Sequence, residues 1–174
     1  HALRVAAAGA GKTLAGFLPS LIALTELRHA QGASESAELR VLYISPLKAL
    51  AHDVARNLLR PIEDMALPIR VETRTGDTSG DKRARQRSHP PDILLTTPES
   101  LSLLLSHEDS AHSFAHLDTI IIDEVHAFGT GKRGDMLQLC LSRLTALRPA
   151  LRRIALSATV ADADAWRCWL APHG

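Results

Sequence analysis

A run of three isoleucines that ends in two acidic residues constrains the fold of this chain more than any other stretch. The run is 120–122, and Asp123 and Glu124 follow it directly. An uninterrupted β-branched run is typical of a strand buried on both faces, as in the centre of a parallel sheet. Buried carboxylates are costly unless they are paired or bind a metal, so this strand end indicates a functional site. The alternative is a strand that leaves the core and exposes both charges to solvent.

A second stretch, near the N-terminus, has the pattern of a phosphate-binding loop. A short apolar run is followed by Ala8-Gly9-Ala10-Gly11-Lys12-Thr13 and then by helical spacing of apolar residues. Small residues let backbone N–H groups surround an anion, and the positive end of the next helix faces it. In such a loop Lys12 reaches the β- and γ-phosphates, and the Thr13 hydroxyl holds Mg²⁺. A glycine-rich turn before a helix is the alternative, but the acidic strand end favours a nucleoside triphosphatase.

Composition excludes several other kinds of protein. The 174 residues suit one domain, and a net charge of +1 provides no general attraction to nucleic acid or membranes. Aromatic residues make up 3% of the chain, too few for a surface that stacks many bases. Cys140 and Cys168 are too isolated for a disulfide framework, so we expect core-facing thiols and a cytosolic setting. No apolar run approaches the length of a membrane span, so no membrane partner is expected.

Strand-like and helix-like stretches alternate along the whole chain. Short β-rich runs are expected at 3–7, 39–45, 69–73, 93–96, 120–122 and 154–156. Helical spacing between them predicts a doubly wound α/β domain, with a mostly parallel sheet and helices on both faces. Pro46 is expected to start a helix that runs to about Arg60, and 132–134 to form a turn before a helix. The strand order is not readable from the sequence.

Polar residues follow the carboxyl end of every predicted strand. A parallel sheet gathers these ends at one edge, so residues that are distant in sequence converge on one surface. Loops with threonine, glycine and a proline-started helix suit phosphate contacts through hydroxyls, free N–H groups and helix N-termini. A kinase or small GTPase would not need so many such strand ends beyond its nucleotide.

These motifs, in this order, resemble the first RecA-like domain of a superfamily 2 helicase of the DExH type. Five segments resemble the family's motifs I, Ia, Ib, II and III: 6–13, 46–50, 97–100, 123–126 and 157–159. Segments 46–50, 74–78 and 132–134 are similar to the large helicase-related (Lhr) group, including its ligase-associated bacterial branch. The chain departs from the family at Ala6, where the strict loop pattern has glycine, and at Ala8, where family members usually have threonine.

The resemblance implies ATP and Mg²⁺ as cofactors and a role for each site residue. Lys12 and the loop around it would hold the phosphates, and Thr13 and Asp123 would hold Mg²⁺. Glu124 would orient or deprotonate the attacking water. Coupling of the nucleotide site to the strand-binding surface would fall to His126, Ser157 and Thr159. Contacts to backbone phosphates, independent of base sequence, would fall to Pro46, Lys48, Arg74, Gly76, Thr97, Pro98, Lys132 and Arg133.

Several features also have a purely structural interpretation. His126 alone is also compatible with a core histidine that is satisfied by a backbone carbonyl. The basic segment 82–87 is expected to be a solvated helix face, with a binding groove as the alternative. His112 and His116 have a metal-like spacing without a third ligand, so a surface loop is expected. Two tryptophans of the last predicted helix are expected in the core, or against a second domain: Trp166 and Trp169.

The resemblance covers nearly all 174 residues but not the whole motor. An upstream segment that recognises adenine and a second RecA-like domain with arginine fingers have no counterpart here, so we expect a piece of a longer chain. The expected function is an ATP-driven helicase motor domain, on DNA rather than RNA, at the nucleoid in the bacterial cytosol. The alternatives are a translocase or nucleoprotein remodeller without strand separation, and a nucleotide-gated binding module without useful turnover.

Overall fold

A parallel β-sheet forms the centre of the computed structural model, which describes residues 2–5, 10–31, 38–157 and 163–170. Within these ranges the strands are β1 (Ala2–Val5), β2 (Val41–Ile44), β3 (Val71–Arg74), β4 (Ile93–Thr96), β5 (Thr119–Ile122) and β6 (Arg152–Ser157). Their order in the sheet is β1-β6-β5-β2-β4-β3, and every neighbouring pair is parallel. The predicted α/β class is therefore confirmed.

Helices connect these strands and cover both faces of the sheet. They are α1 (Ala10–Gln31), α2 (Lys48–Asp64), α3 (Gly80–Ser88), α4 (Pro98–Ser106), α5 (Ser110–Ser113), α6 (Lys132–Leu147) and α7 (Ala163–Leu170). A 3₁₀ turn at Val125–Phe128 follows β5. Within the described ranges, none of the helices combines the length and the apolar character that a bilayer crossing requires.

The central strands serve two apolar cores, because successive residues of a strand point to opposite faces. One core joins the sheet to α1 and α2 and contains Phe17, Leu21, Tyr43, Leu58, Ile121 and Ile154. The other joins the sheet to α4, α6 and α7 and contains Ile44, Leu101, Ile122, Leu141, Ala155 and Leu170. This alternation explains why the strand sequences are apolar throughout rather than amphipathic.

Some element boundaries differ from those expected. Helix α2 begins at Lys48 rather than Pro46, and it continues through Pro61 to Asp64. The expectation of a turn at 132–134 is wrong, because these residues form the first turn of α6. Gly131, with φ of +91°, reverses the chain just before that turn. Gly134 then passes so close to Phe128 that an added Cβ would lie 2.2 Å from its carbonyl oxygen.

The C-terminal helix packs on the second core. Trp166 and Trp169 meet edge to face with ring centroids 5.5 Å apart, and both pack against that core, as expected. Cys140 is buried, but Cys168 is exposed, so the expectation of two core-facing thiols is wrong for Cys168.

A buried ion pair ties α1 to the start of three strands. Arg28 donates from Nε to Asp92 Oδ1 at 3.1 Å, and the Asp92 residue is only 1% exposed. The second carboxylate oxygen accepts the Arg70 N–H at 2.8 Å. The Asp92 carbonyl accepts the N–H groups of Arg40 and Val41, each at 3.0 Å. Asp92 thus positions the beginnings of β2, β3 and β4 together.

Candidate functional site

The acidic strand end lies at the carboxyl edge of the sheet, after a strand with neighbours on both sides. Asp123 is 2% exposed, and its N–H donates to the Ile44 carbonyl at 2.9 Å. Its place two residues after Ile121 puts it on the face that α1 covers. Glu124 has φ of +45° and donates its N–H to Asp123 Oδ1 at 2.9 Å, which turns the chain away from the sheet. Because Asp123 is buried and bonded, the solvent-exit alternative is wrong.

Tyr43 holds the other oxygen of the same carboxylate. Its hydroxyl donates to Asp123 Oδ2, and its ring is fully buried. Burial, then the negative charge of Asp123, raises the pKa of Tyr43 far above its usual range, so the hydroxyl stays a donor. The ring also stacks on Phe17 of α1, with centroids 5.4 Å apart. Tyr43 therefore links the helix that follows the phosphate-loop segment to the Asp123 carboxylate.

Sequence reasoning alone does not single out Tyr43, although a signal is present. It is the one tyrosine of the chain, and it interrupts a strand that is otherwise aliphatic. A buried tyrosine hydroxyl usually needs a hydrogen-bond partner. Tyr43 pairs in register with Ile121, two residues before Asp123, so its hydroxyl can reach the aspartate. A lone tyrosine in a core strand is therefore a signal for such a hydrogen bond.

The predicted phosphate loop is only partly described. Residues 6–9, which include Ala8 and Gly9, lie outside the described residues. Helix α1 begins at Ala10, so the backbone of 10–13 forms its first turn, where unpaired N–H groups and the helix dipole favour an anion. β1 pairs with β6, and Val5 lies opposite Ser157 in that pairing. The phosphate-binding roles assigned to residues 8–13 stay predictions.

The described oxygen donors suit Mg²⁺. Asp123 offers a carboxylate that two hydrogen bonds hold in one orientation, and Thr13 lies half-buried in the first turn of α1. Mg²⁺ beside a nucleotide typically takes only one or two protein ligands, since phosphates and water supply the others. In the described part of the chain, no group of three or more His, Cys, Asp or Glu side chains is placed to hold a metal ion. That finding includes His112 and His116.

His126 connects the acidic strand end to the end of β6. Its Nδ1 lies 2.9 Å from Ser157 Oγ and 3.4 Å from Glu124 Oε2. Its side chain is 44% exposed, so the alternative of a core histidine is wrong. Thr159, the third residue of the predicted coupling set, lies outside the described residues. Coupling stays a prediction, but His126 and Ser157 are in contact as it requires.

Lys48 lies at the start of α2 on the same edge of the sheet. Its Nζ is 2.6 Å from Asp77 Oδ2, and both side chains are exposed. The hydrogen bond from Lys48 lowers the pKa of Asp77 below its usual range. This contact brings together the segments after β2 and β3. Gly76 is exposed in the turn between β3 and α3.

Arg133 connects three of the predicted nucleic-acid-binding segments. It donates from Nε to Glu99 Oε1 and from one terminal nitrogen to the Pro46 carbonyl, each at 2.6 Å. Burial is the largest single influence on Glu99 and opposes its ionisation. The hydrogen bonds from Arg133, the backbone and Thr97, together with the Arg133 charge, outweigh it, so the pKa of Glu99 lies below its usual range. Arg133 therefore fixes the start of α6 against the start of α4 and the loop after β2, a positioning role that its sequence pattern does not indicate.

The remaining predicted phosphate-contact residues differ in exposure. Arg74 is 4% exposed and donates to the Arg83 carbonyl at 3.2 Å. Thr97 is buried and caps α4 by accepting the Ser100 N–H, and Pro98 is buried as the first residue of that helix. Lys132 is exposed in the first turn of α6. Their contacts with nucleic acid stay predictions, and those of Thr97 and Pro98 would have to use the helix terminus rather than exposed side chains.

A parallel sheet with a phosphate-loop pattern after one strand and a buried, oriented aspartate after another defines a P-loop nucleoside-triphosphatase domain. The family model of the DEAD/DEAH box helicases matches residues 1–166, and the chain belongs to that family. It is a helicase domain homologous to Lhr helicases, which confirms the resemblance inferred from its motifs.

Two relatives and one solved structure illustrate this similarity. The Lhr helicase/uracil glycosylase of Escherichia coli (strain K12) is 44% identical over 94% of this chain and 11% of that protein. The ATP-dependent helicase Lhr-Core of Methanothermobacter thermautotrophicus is 43% identical over 87% of this chain and 18% of that protein. The structure of Mycobacterium smegmatis helicase Lhr bound to ssDNA and AMP-PNP has a TM-score of 0.76 at 42% identity, over 91% of this chain and 21% of that chain. The chain thus spans less than a fifth of the length of the first two relatives.

Proposed function

We propose that this chain is the ATP-binding and ATP-hydrolysing motor domain of a DNA helicase that works within a longer protein. The observation that carries the proposal is the buried Asp123 carboxylate, held by Tyr43 and by the Glu124 N–H at the carboxyl edge of the sheet. A carboxylate is retained in such a place when it binds a cation that the reaction needs. The same edge of the sheet carries Lys48 and Arg133, which are positively charged side chains suited to bind a DNA strand.

The proposed chemistry assigns one task to each residue. Lys12 offsets the charge that develops on the γ-phosphoryl group, and the first-turn N–H groups of α1 bind the phosphates. Thr13 and Asp123 would hold Mg²⁺, which would supply positive charge to offset the charge of the phosphates. Glu124 orients the attacking water and accepts its proton. Tyr43 keeps the Asp123 carboxylate in one orientation, as groups that contact metal ligands commonly do.

DNA is the proposed substrate, and its backbone rather than its bases is the proposed point of contact. Support comes from the solved Lhr structure, which is bound to ssDNA. Helices α2, α4 and α6 all begin at the carboxyl edge of the sheet, so their N-termini offer N–H groups to phosphates. The contact between His126 and Ser157 supports a coupling path from the nucleotide side to this surface. Oriented catalytic groups also favour a motor over a nucleotide-gated module without turnover.

Lys48→Ala in the full-length protein should weaken ssDNA binding equally for all base sequences. Loss of one phosphate contact should also flatten the dependence of log affinity on log salt concentration by up to about one unit. The measurement is a fluorescence-anisotropy titration at several salt concentrations. Arg56→Ala is the matched control, since Arg56 is also exposed on α2 and pairs with Asp53. A loss confined to particular base sequences would show that Lys48 reads bases instead.

A phosphate-release assay tests the proposed function as a whole. Single-stranded DNA should stimulate ATP hydrolysis by the full-length protein, whereas residues 1–174 alone should stay near background. Arginine fingers from an opposing domain are worth roughly 10³–10⁵ in rate in related phosphoryl transfers, and we propose that a second RecA-like domain supplies them. Lys12→Ala controls for contaminating activity. Robust, Lys12-dependent turnover by residues 1–174 would show that the second domain is not needed.

A further inference from the structure

A basic groove lies between α3 and α4, beside the carboxyl edge of the sheet where the DNA contacts are proposed (the strand-binding edge). It has a volume of about 290 Å³ and is lined by residues of β3, α3 and α4 and of the segments that follow β3 and α4, including Leu103 and His107. The lining residues that matter here are Arg74, Thr75, Arg83, Arg87, Ser100 and Ser106. Only Arg74 among these belongs to the residues predicted to contact phosphates.

The groove concentrates positive charge without a compensating acid. Burial and the neighbouring Arg83 and Arg87 guanidinium groups lower the pKa of Arg74 to about 10. No carboxylate is among the described residues that line the groove. Arg87 is exposed and makes no hydrogen bond or ion pair with any described residue. Like charges held this close are costly, so the groove favours an anion that would offset them.

Two residues that line the groove, Thr75 and Arg83, each have a buried polar atom without a partner within the described structure. Thr75 is 1% exposed, and its Oγ1 has no hydrogen-bond partner, nor has the buried Nε of Arg83. Nearly all buried polar groups in folded proteins are hydrogen-bonded, so two exceptions in one cavity indicate a missing ligand. The terminal nitrogen of Arg83 donates to the carbonyls of Thr75 and Gly76, at 3.3 Å and 2.8 Å, which keeps this side of the groove in place.

The basic segment of α3 therefore has two faces. Arg85 donates to both carboxylate oxygens of Glu72 at 3.0 Å, away from the groove, as a solvated ion pair would. Arg83 and Arg87 line the groove instead. The expectation of a solvated helix face therefore agrees with the exposed ion pair of Arg85, whereas Arg83 and Arg87 lie where the binding-groove alternative applies.

We propose that the groove between α3 and α4 binds a phosphodiester group of the DNA backbone and so extends the strand-binding edge. This inference rests on the proposed function. Guanidinium groups match phosphate oxygens through paired N–H donors, and hydroxyls such as that of Thr75 donate to the same oxygens. His107 lines the groove, but none of the described lining residues is Phe, Tyr or Trp, so a large aromatic surface for base stacking is absent among them. The contact would be independent of base sequence.

Arg87→Gln in the full-length protein tests this inference, with Arg85→Gln as its matched control. Both variants remove one positive charge from the same helix, two residues apart. Arg87→Gln should lower ssDNA affinity and flatten the salt dependence by about 0.7 units, the value expected for one phosphate contact on a single strand. Arg85→Gln should leave the salt dependence unchanged. Equal thermal unfolding midpoints for the two variants would exclude a folding defect as the cause.

Thr75→Val provides a second, nearly isosteric test. It removes a hydroxyl that has no partner, so the unfolding midpoint should not fall, whereas ssDNA affinity should fall severalfold. A purely structural role for Thr75 would give the opposite pattern.

The outcomes separate the groove from the proposed function. If Lys48→Ala flattens the salt dependence and Arg87→Gln does not, the groove is not a DNA contact, although the strand-binding edge is. If neither variant changes it, neither Lys48 nor the groove contacts the DNA backbone, and the phosphate-release assay decides the proposed function separately. Titration with inorganic phosphate is the remaining arm. If Arg87→Gln weakens phosphate binding but leaves ssDNA affinity unchanged, the groove takes a free anion and the backbone proposal is overturned.

Discussion

Lys12→Ala and Glu124→Gln should each lower ATP turnover by the full-length protein on the order of 10²-fold or more, for different reasons. Lys12 would act on the phosphates in both the ground state and the transition state, so its loss should also weaken nucleotide binding. Glu124 would act only on the attacking water. Its replacement by the isosteric amide should leave nucleotide binding nearly intact.

Steady-state hydrolysis and equilibrium binding of a non-hydrolysable ATP analogue distinguish these roles. Glu26→Gln is the matched control, because Glu26 is an exposed carboxylate on α1 that faces neither proposed ligand. It should change neither quantity. Equal loss of nucleotide binding in the Lys12 and Glu124 variants would contradict the assignment of phosphate binding to one and water orientation to the other.

Asp92→Ala should destabilise the fold by about 3–5 kcal/mol, the usual cost of removing one partner from a buried ion pair. The change removes the Asp92 carboxylate from the buried Arg28 guanidinium, and it also removes the hydrogen-bond acceptor of the Arg70 N–H. The measurement is the free energy of unfolding from urea titration, with Asp53→Ala as the control.

Asp53 pairs with Arg56 on the exposed face of α2, where such pairs contribute only about 0–1 kcal/mol. Equal unfolding free energies for the two aspartate variants would show that Asp92 does not organise the strand starts as its hydrogen bonds indicate.

The site elements that are readable from the sequence are those that depend on local pattern. A β-branched run followed by Asp123 and Glu124 is visible because burial and charge change within a few residues. The glycine and lysine pattern before α1 is visible because backbone approach to an anion requires small side chains. Both indicate chemistry without any knowledge of which strands are neighbours.

The remaining parts depend on contacts between distant residues. Tyr43 and Asp123 are 80 positions apart, and Arg133 and Pro46 are 87 apart. Only the pairing of β2 with β5 brings the first pair together. Strand order, the Arg28–Asp92 pair and the two-faced character of α3 follow from the same non-local packing. The start of α6 at Lys132 is also not readable from local pattern, because the close approach of Gly134 to Phe128 is a contact between separate elements.

The position of β1 at the edge of the sheet has a consequence for folding. Within the described structure β1 pairs only with β6, so residues 2–5 are held by residues 154–157. The strand that precedes the predicted phosphate loop thus pairs with a strand that emerges from the ribosome about 150 residues later. We expect such a long-range pairing to form late, after the helices and the crossovers between strands that are nearer in sequence. We expect nascent chains that stop before β6 to form the Tyr43–Asp123 contact of the proposed nucleotide site, but not the β1–β6 pairing beside its predicted phosphate loop.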